Sequence, residues 1–76
     1  MEAYANRSGD SAVRAYEFDA TSIAVEFQNR RAYLYDYGRP GRNDVERMKA
    51  LAVSGRGLGT FISKVVKKRY ARKLPR

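Results

Sequence analysis

Seventy-six residues carrying 16 Lys and Arg against 8 Asp and Glu, a net charge of +8, make one small basic domain. With no Cys and no His, disulfide staples, thiolate chemistry, a zinc site and a histidine-based triad are excluded, so neither a metal nor a cofactor is expected. No apolar run approaches the roughly 18 residues of a membrane span, and the acidic, polar start Met1-Glu2-Ala3-Tyr4 does not read as a signal peptide, so a cytoplasmic protein without a membrane partner is expected.

Residues 1–11, through Arg7-Ser8-Gly9-Asp10-Ser11, lack apolar periodicity and read as a mobile N-terminal arm, leaving a single domain over residues 12–74. Three β-type segments follow. Residues 13–19 set Tyr16 and Phe18 two apart. Residues 22–28 alternate most cleanly, with Ile23, Val25 and Phe27 on the inward side. Residues 32–37 put Tyr33, Tyr35 and Tyr37 on one face and Leu34 on the other. The connections are Asp19-Ala20-Thr21 and Asn29-Arg30-Arg31, where Asn29 tolerates a left-handed backbone. Segments joined this tightly predict a three-stranded antiparallel meander.

Gly38-Arg39-Pro40-Gly41-Arg42 ends the strand pattern. Asn43 is a good N-cap, Asp44 and Glu46 suit a first helical turn, and Val45, Met48 and either Leu51 or Ala52 recur at helical spacing up to a stop at Ser54-Gly55. The glycine joint Gly55-Arg56-Gly57-Leu58-Gly59 then opens a second helix from about Thr60. Its apolar stripe is Leu58, Phe61, Ile62, Val65 and Val66. Arg69 falls within that stripe, so the helix frays there or the side chain snorkels. The expected fold is α+β, a three-stranded antiparallel meander followed by two helices packed on one face.

The charge is unevenly placed. Eight acids balance eight bases over residues 1–53, and no acid follows Glu46, so the whole +8 resides in residues 54–76. Lys64, Lys67, Lys68 and Arg72 are spaced to line one face of the second helix, flanked by Lys73 and Arg76. Concentrated positive potential of this kind points first to nucleic acid. Lysines that meet phosphates position a backbone without reading sequence, and such binding weakens steeply with salt. Tyr33 and Tyr35 suit either a packed core or stacking on unpaired bases. The glycine joint suits either a tight interhelical turn or, with Arg56 beside it, contact to a phosphate.

Taken together, Phe18-Asp19, Ile23-Ala24-Val25-Glu26-Phe27, Tyr33-Leu34-Tyr35, Ser54-Gly55, Phe61-Ile62 and Lys67-Lys68-Arg69-Tyr70 resemble, in order and spacing, the KTSC domain. That family is named after a C-terminal extension of some lysyl-tRNA synthetases and also occurs as a free-standing small protein in bacteria and phages. The resemblance spans roughly residues 13–74. It implies an α+β fold, a suspected role in RNA binding and no enzyme activity. The chain departs from the family at Gly57-Leu58-Gly59, where Tyr-Phe-Asn is usual, and at Pro40, which does not directly precede the first helix.

The expectation is therefore a non-catalytic binding module for RNA or single-stranded DNA. Its contacts would come from Arg56, Lys64, Lys67, Lys68, Arg72 and Lys73, with Tyr33 and Tyr35 as stacking candidates. The alternative is a phage-type interaction module or inhibitor that docks the same cations on an acidic surface of a host protein.

Overall fold

The computed structural model describes residues 1–9 and 11–75. It has the expected α+β class, but the sheet has five antiparallel strands rather than three: β1 (Glu2–Ala3), β2 (Val13–Phe18), β3 (Ser22–Phe27), β4 (Ala32–Asp36) and β5 (Arg72–Leu74), neighbours in that order. The central meander β2–β3–β4 lies within a residue of each expected boundary. Its period-2 alternation leaves only one register that buries Ile23 and Val25 together. Ile23 faces Tyr35 and Val25 faces Tyr33 across β3 and β4.

The two added strands overturn two expectations. The stretch read as a mobile arm begins with β1, paired to β2. Tyr4, just beyond it, is buried in the core, and its hydroxyl accepts a hydrogen bond from the Leu58 N–H (3.2 Å). The same segment is tied down again where the Arg7 N–H and Nε donate to the carbonyls of Gly55 (2.7 Å) and Ser54 (3.0 Å). Of the arm's residues, Asp10 lies outside the described ones. At the other end, residues 72–74 form a strand against β4 instead of continuing a helix.

Helix α1 (Arg42–Ser54) starts one residue before the expected cap: Gly41, not Asn43, is the N-cap. The turn 36–41 sets this point, because the Asp36 carbonyl accepts from Gly41 N–H (3.1 Å) and the Gly41 carbonyl takes the first helical bond from Val45 N–H (3.0 Å). The helix ends at Gly55 as its sequence suggests, with φ 79° and bonds back to Leu51 and Ala52. A lysine–carboxylate–tyrosine cluster fastens the exposed side of α1 to the sheet end near Ser22. Tyr37 donates to Glu46 Oε2 (2.7 Å), and Lys49 Nζ donates to the same carboxylate (2.8 Å) and to the Ala20 carbonyl (2.9 Å).

The second helix is short. One α-helical turn, α2 (Leu58–Phe61), runs into a π-helical turn over Ile62–Val66. Leu58, Ile62 and Val66 are buried, whereas Val65, expected in the apolar stripe, is 44% exposed. In a pure α-helix a step of four residues overshoots a full turn by about 40°. A wider turn, closed by Lys67 N–H onto the Ile62 carbonyl five residues back, takes that excess back and keeps Val66 over the sheet. The helix stops at Val66, three residues before the arginine expected to fray it. With the chain turned away, Arg69 reaches Asp44 (3.1 Å) and the carbonyls of Val65 (3.0 Å) and Val66 (3.3 Å).

The core fills the space between one sheet face and the helices. It contains Tyr4, Val13, Ile23, Val25, Tyr35, Val45, Met48, Ala52, Leu58, Ile62 and Val66. Phe27, expected inside with Ile23 and Val25, is only partly buried at the core margin. The turn after β3 also differs in detail: Arg30, not Asn29, holds the positive φ (70°). Asn29 instead accepts from the Arg31 N–H through Oδ1 (3.0 Å), which leaves the next residue to make the left-handed step.

Candidate nucleic-acid interface

The tyrosine row divides along β4. Tyr33, Tyr35 and Tyr37 share the helix-covered face, so Tyr35 in the middle is 1% exposed. Burial first, and then the neighbouring hydroxyls of Tyr33 and Tyr70, push its phenol above the ordinary tyrosine range. A side chain so enclosed is a core residue, and the stacking role considered for Tyr35 is corrected accordingly. Tyr33, nearer the strand start, stays partly exposed.

Around Tyr33 the chain assembles an aromatic group that spacing alone did not disclose. Its ring stacks on Tyr70 at 4.6 Å with planes 19° apart, and Phe27 tilts against it at 5.8 Å. Tyr70 also meets Tyr35 edge-on at 6.4 Å. Phe27 and Tyr33 come from adjacent strands, and Tyr70 comes from the turn between the π-helical segment and β5. These rings line a cleft of about 300 Å³ together with Arg31, Ile62, Lys67, Lys68 and Lys73. On the other flank of Phe27 and Tyr33, a shallower depression of about 390 Å³ is bounded by Ala12, Gln28 and Asn29.

Four cations thus share one cleft. Among the described residues, the ion pairs engage the N-terminal amine, Arg14, Lys49 and Arg69, and none engages Arg31, Lys67, Lys68 or Lys73. Lys73 lies opposite Tyr33 in the β4–β5 register, which puts it on the aromatic face. Lys67 occupies its place at a backbone cost. Its φ of 55° and ψ of −127° approximate the mirror image of the extended region, where only glycine is at ease.

The remaining basic candidates are dispersed, and the single helical stripe is corrected. Lys64 is an exposed residue of the π-helical turn, outside the cleft lining. Arg72 faces Leu34, on the sheet face opposite the one that carries Tyr33 and Lys73, because successive strand residues alternate. Arg76 lies outside the described residues. Arg56 is exposed in the glycine joint. The depression beside that joint is lined by Ser8, Ser11, Ala12, Gly57, Gly59, Thr60 and Ser63, without a cation. The phosphate contact considered there therefore lacks its charge.

Sequence reasoning missed Phe27, Arg31 and Tyr70 as members of the site. The available signal was an aromatic placed directly after the cationic run, Lys67-Lys68-Arg69-Tyr70. None of the helices in the described residues is long and apolar enough to cross a membrane. No family model, curated protein or solved structure matches the chain.

Proposed function

We propose that the protein is a non-catalytic module that binds the phosphate backbone of nucleic acid, RNA or single-stranded DNA before duplex, through its C-terminal segment. The observation that carries this reading is the convergence of Arg31, Lys67, Lys68 and Lys73 on one aromatic cleft with no carboxylate paired to them among the described residues. Unpaired cations gathered in a concave site attract a polyanion and release its counterions. The KTSC resemblance, with its suspected RNA-binding role, belongs to the same reading. Docking of a phage-type inhibitor on an acidic host protein would use the same cations, and the salt titration below separates the two readings.

The test is a salt titration of a fluorescent single-stranded oligonucleotide against the parent and the double variant Lys68→Gln, Lys73→Gln. The slope of log K on log salt should flatten by about 0.7 for each lost contact on a single strand. Lys64→Gln, outside the cleft, should change the slope less than either substitution within it. A parent that binds no nucleic acid at low salt would overturn the reading and favour the acidic-protein partner.

A further inference from the structure

Resting on the backbone-binding reading above, we infer that the cleft is a base-capture site: an unpaired nucleobase stacks on the exposed surface of the Phe27–Tyr33–Tyr70 aromatic group while the flanking phosphates meet Lys67, Lys68 and Lys73. The partner is thereby a single strand, read through its bases' faces as well as its charge.

Three observations carry this. The aromatic group sets three rings, each only partly buried, at the margin of the core, beside Tyr35 and Ile62 at the cleft's inner wall. Tyr33 and Tyr70 are already stacked with nearly parallel planes. This mutual stacking fixes both rings and uses one face of each, and the outer face of a partly exposed ring accepts any base, since every base has a π face. The cations occupy the rim of the same cleft, the arrangement that single-strand binders use to hold a backbone alongside stacked bases. The depression across Phe27 and Tyr33, lined by Ala12, Gln28 and Asn29, gives the adjacent nucleotide a second apolar surface. Bases within a duplex are stacked on one another and offer no free face, so duplex engages the cations alone.

The chain has six tyrosines and no tryptophan, and three of them, Tyr33, Tyr35 and Tyr70, line the cleft, so part of the tyrosine emission responds to its occupancy. The experiment titrates the intact protein with three probes: a short oligouridylate, the same strand without bases, and inorganic polyphosphate. Tyr70→Leu keeps apolar bulk against the core but removes the ring, and Tyr70→Phe restores it; circular dichroism verifies that both variants are folded. The base-bearing strand should quench tyrosine emission and bind about tenfold more tightly than the abasic strand. Tyr70→Leu should remove that advantage, Tyr70→Phe should retain it, and polyphosphate affinity should be the same for all three proteins. Equal binding of base-bearing and abasic strands, without quenching, would overturn base capture and leave the backbone-binding reading standing. Failure of every polyanion to bind at low salt would overturn both.

Discussion

Replacing Lys67 separates its backbone from its charge. Its φ of 55° with ψ of −127° lies in a region that costs a side-chain-bearing residue about 1–3 kcal/mol. Lys67→Gly removes that cost. Glycine in turn surrenders about 0.5–1 kcal/mol of conformational entropy on folding, so a net gain of about 1 kcal/mol is expected. Lys67→Ala deletes the same ammonium group but keeps the Cβ, so its stability should match the parent. The substitution pair therefore reverses the usual helical order, in which alanine exceeds glycine by about 1 kcal/mol. Urea unfolding followed by circular dichroism is the assay. With a slope of about 1 kcal/mol per molar, typical at the low end for small domains, the midpoint of Lys67→Gly should lie about 1 M above that of Lys67→Ala. Both variants should lose the same single phosphate contact in a salt titration. A Lys67→Ala protein as stable as Lys67→Gly, or more so, would refute the claim that the π-helical turn imposes a strained exit to set this lysine in the cleft.

Two further outcomes follow from other parts of the fold. Gly55→Val should prevent native packing, because the site combines φ 79° with a Cβ position only 2.7 Å from the Ala5 Cβ; a cooperative melt at the parental temperature would contradict this. Stability should be level between about pH 5 and pH 9.5 and fall on either side. Hydrogen bonds hold Glu46 below 4.5, through Lys49 and then Tyr37, and Asp19 below 3.8, chiefly through the Thr21 N–H. Their stabilisation is present at neutral pH and is lost as pH falls through the lowered values. Tyr35, raised by burial, and Tyr37, raised by its bond to Glu46, hold their protons above the ordinary 10.0. Their contribution is complete below pH 10 and is lost above it. A urea midpoint that stays constant from pH 3 to pH 11 would refute this assignment.

The central strands and α1 were readable because each repeats its pattern long enough to be unambiguous. Residues 22–27 complete three alternations, and Val45, Met48 and Ala52 mark successive turns. The outer strands were not readable, since Glu2–Ala3 and Arg72–Leu74 are too short for any period to emerge. They take their conformation from the neighbours they pair with. The second helix failed for a different reason. Extrapolating a constant 3.6-residue repeat carried Lys64, Lys67, Lys68 and Arg72 onto one face, whereas the π-helical turn and the strained exit at Lys67 interrupt that repeat. The concentration of charge in the last third was legible from composition, but the partners of those cations in space were not. Tyr70 and Arg31 reach the cleft only through the β4–β5 pairing and the turn after β3.

The thin attachment of β5 divides the molecule into two tiers of persistence. Val66 is the last residue of the buried core, and beyond it only Tyr70, among the described residues, packs against that core. Three paired residues, the Ala71 N–H bond to the Leu34 carbonyl (2.7 Å) and the Arg69–Asp44 bridge (3.1 Å) hold the segment in place. With only these ties and the Tyr33–Tyr70 stack, the segment is expected to open from the sheet edge before the meander and helices unfold, a sub-global opening less costly than global unfolding. The peeled segment carries five potential trypsin sites between Lys67 and Lys73. If a polyanion seats across Arg31 and the lysines as proposed, it would clasp the strand shut, and trypsin cleavage between Lys67 and Lys73 should slow as the cleft fills.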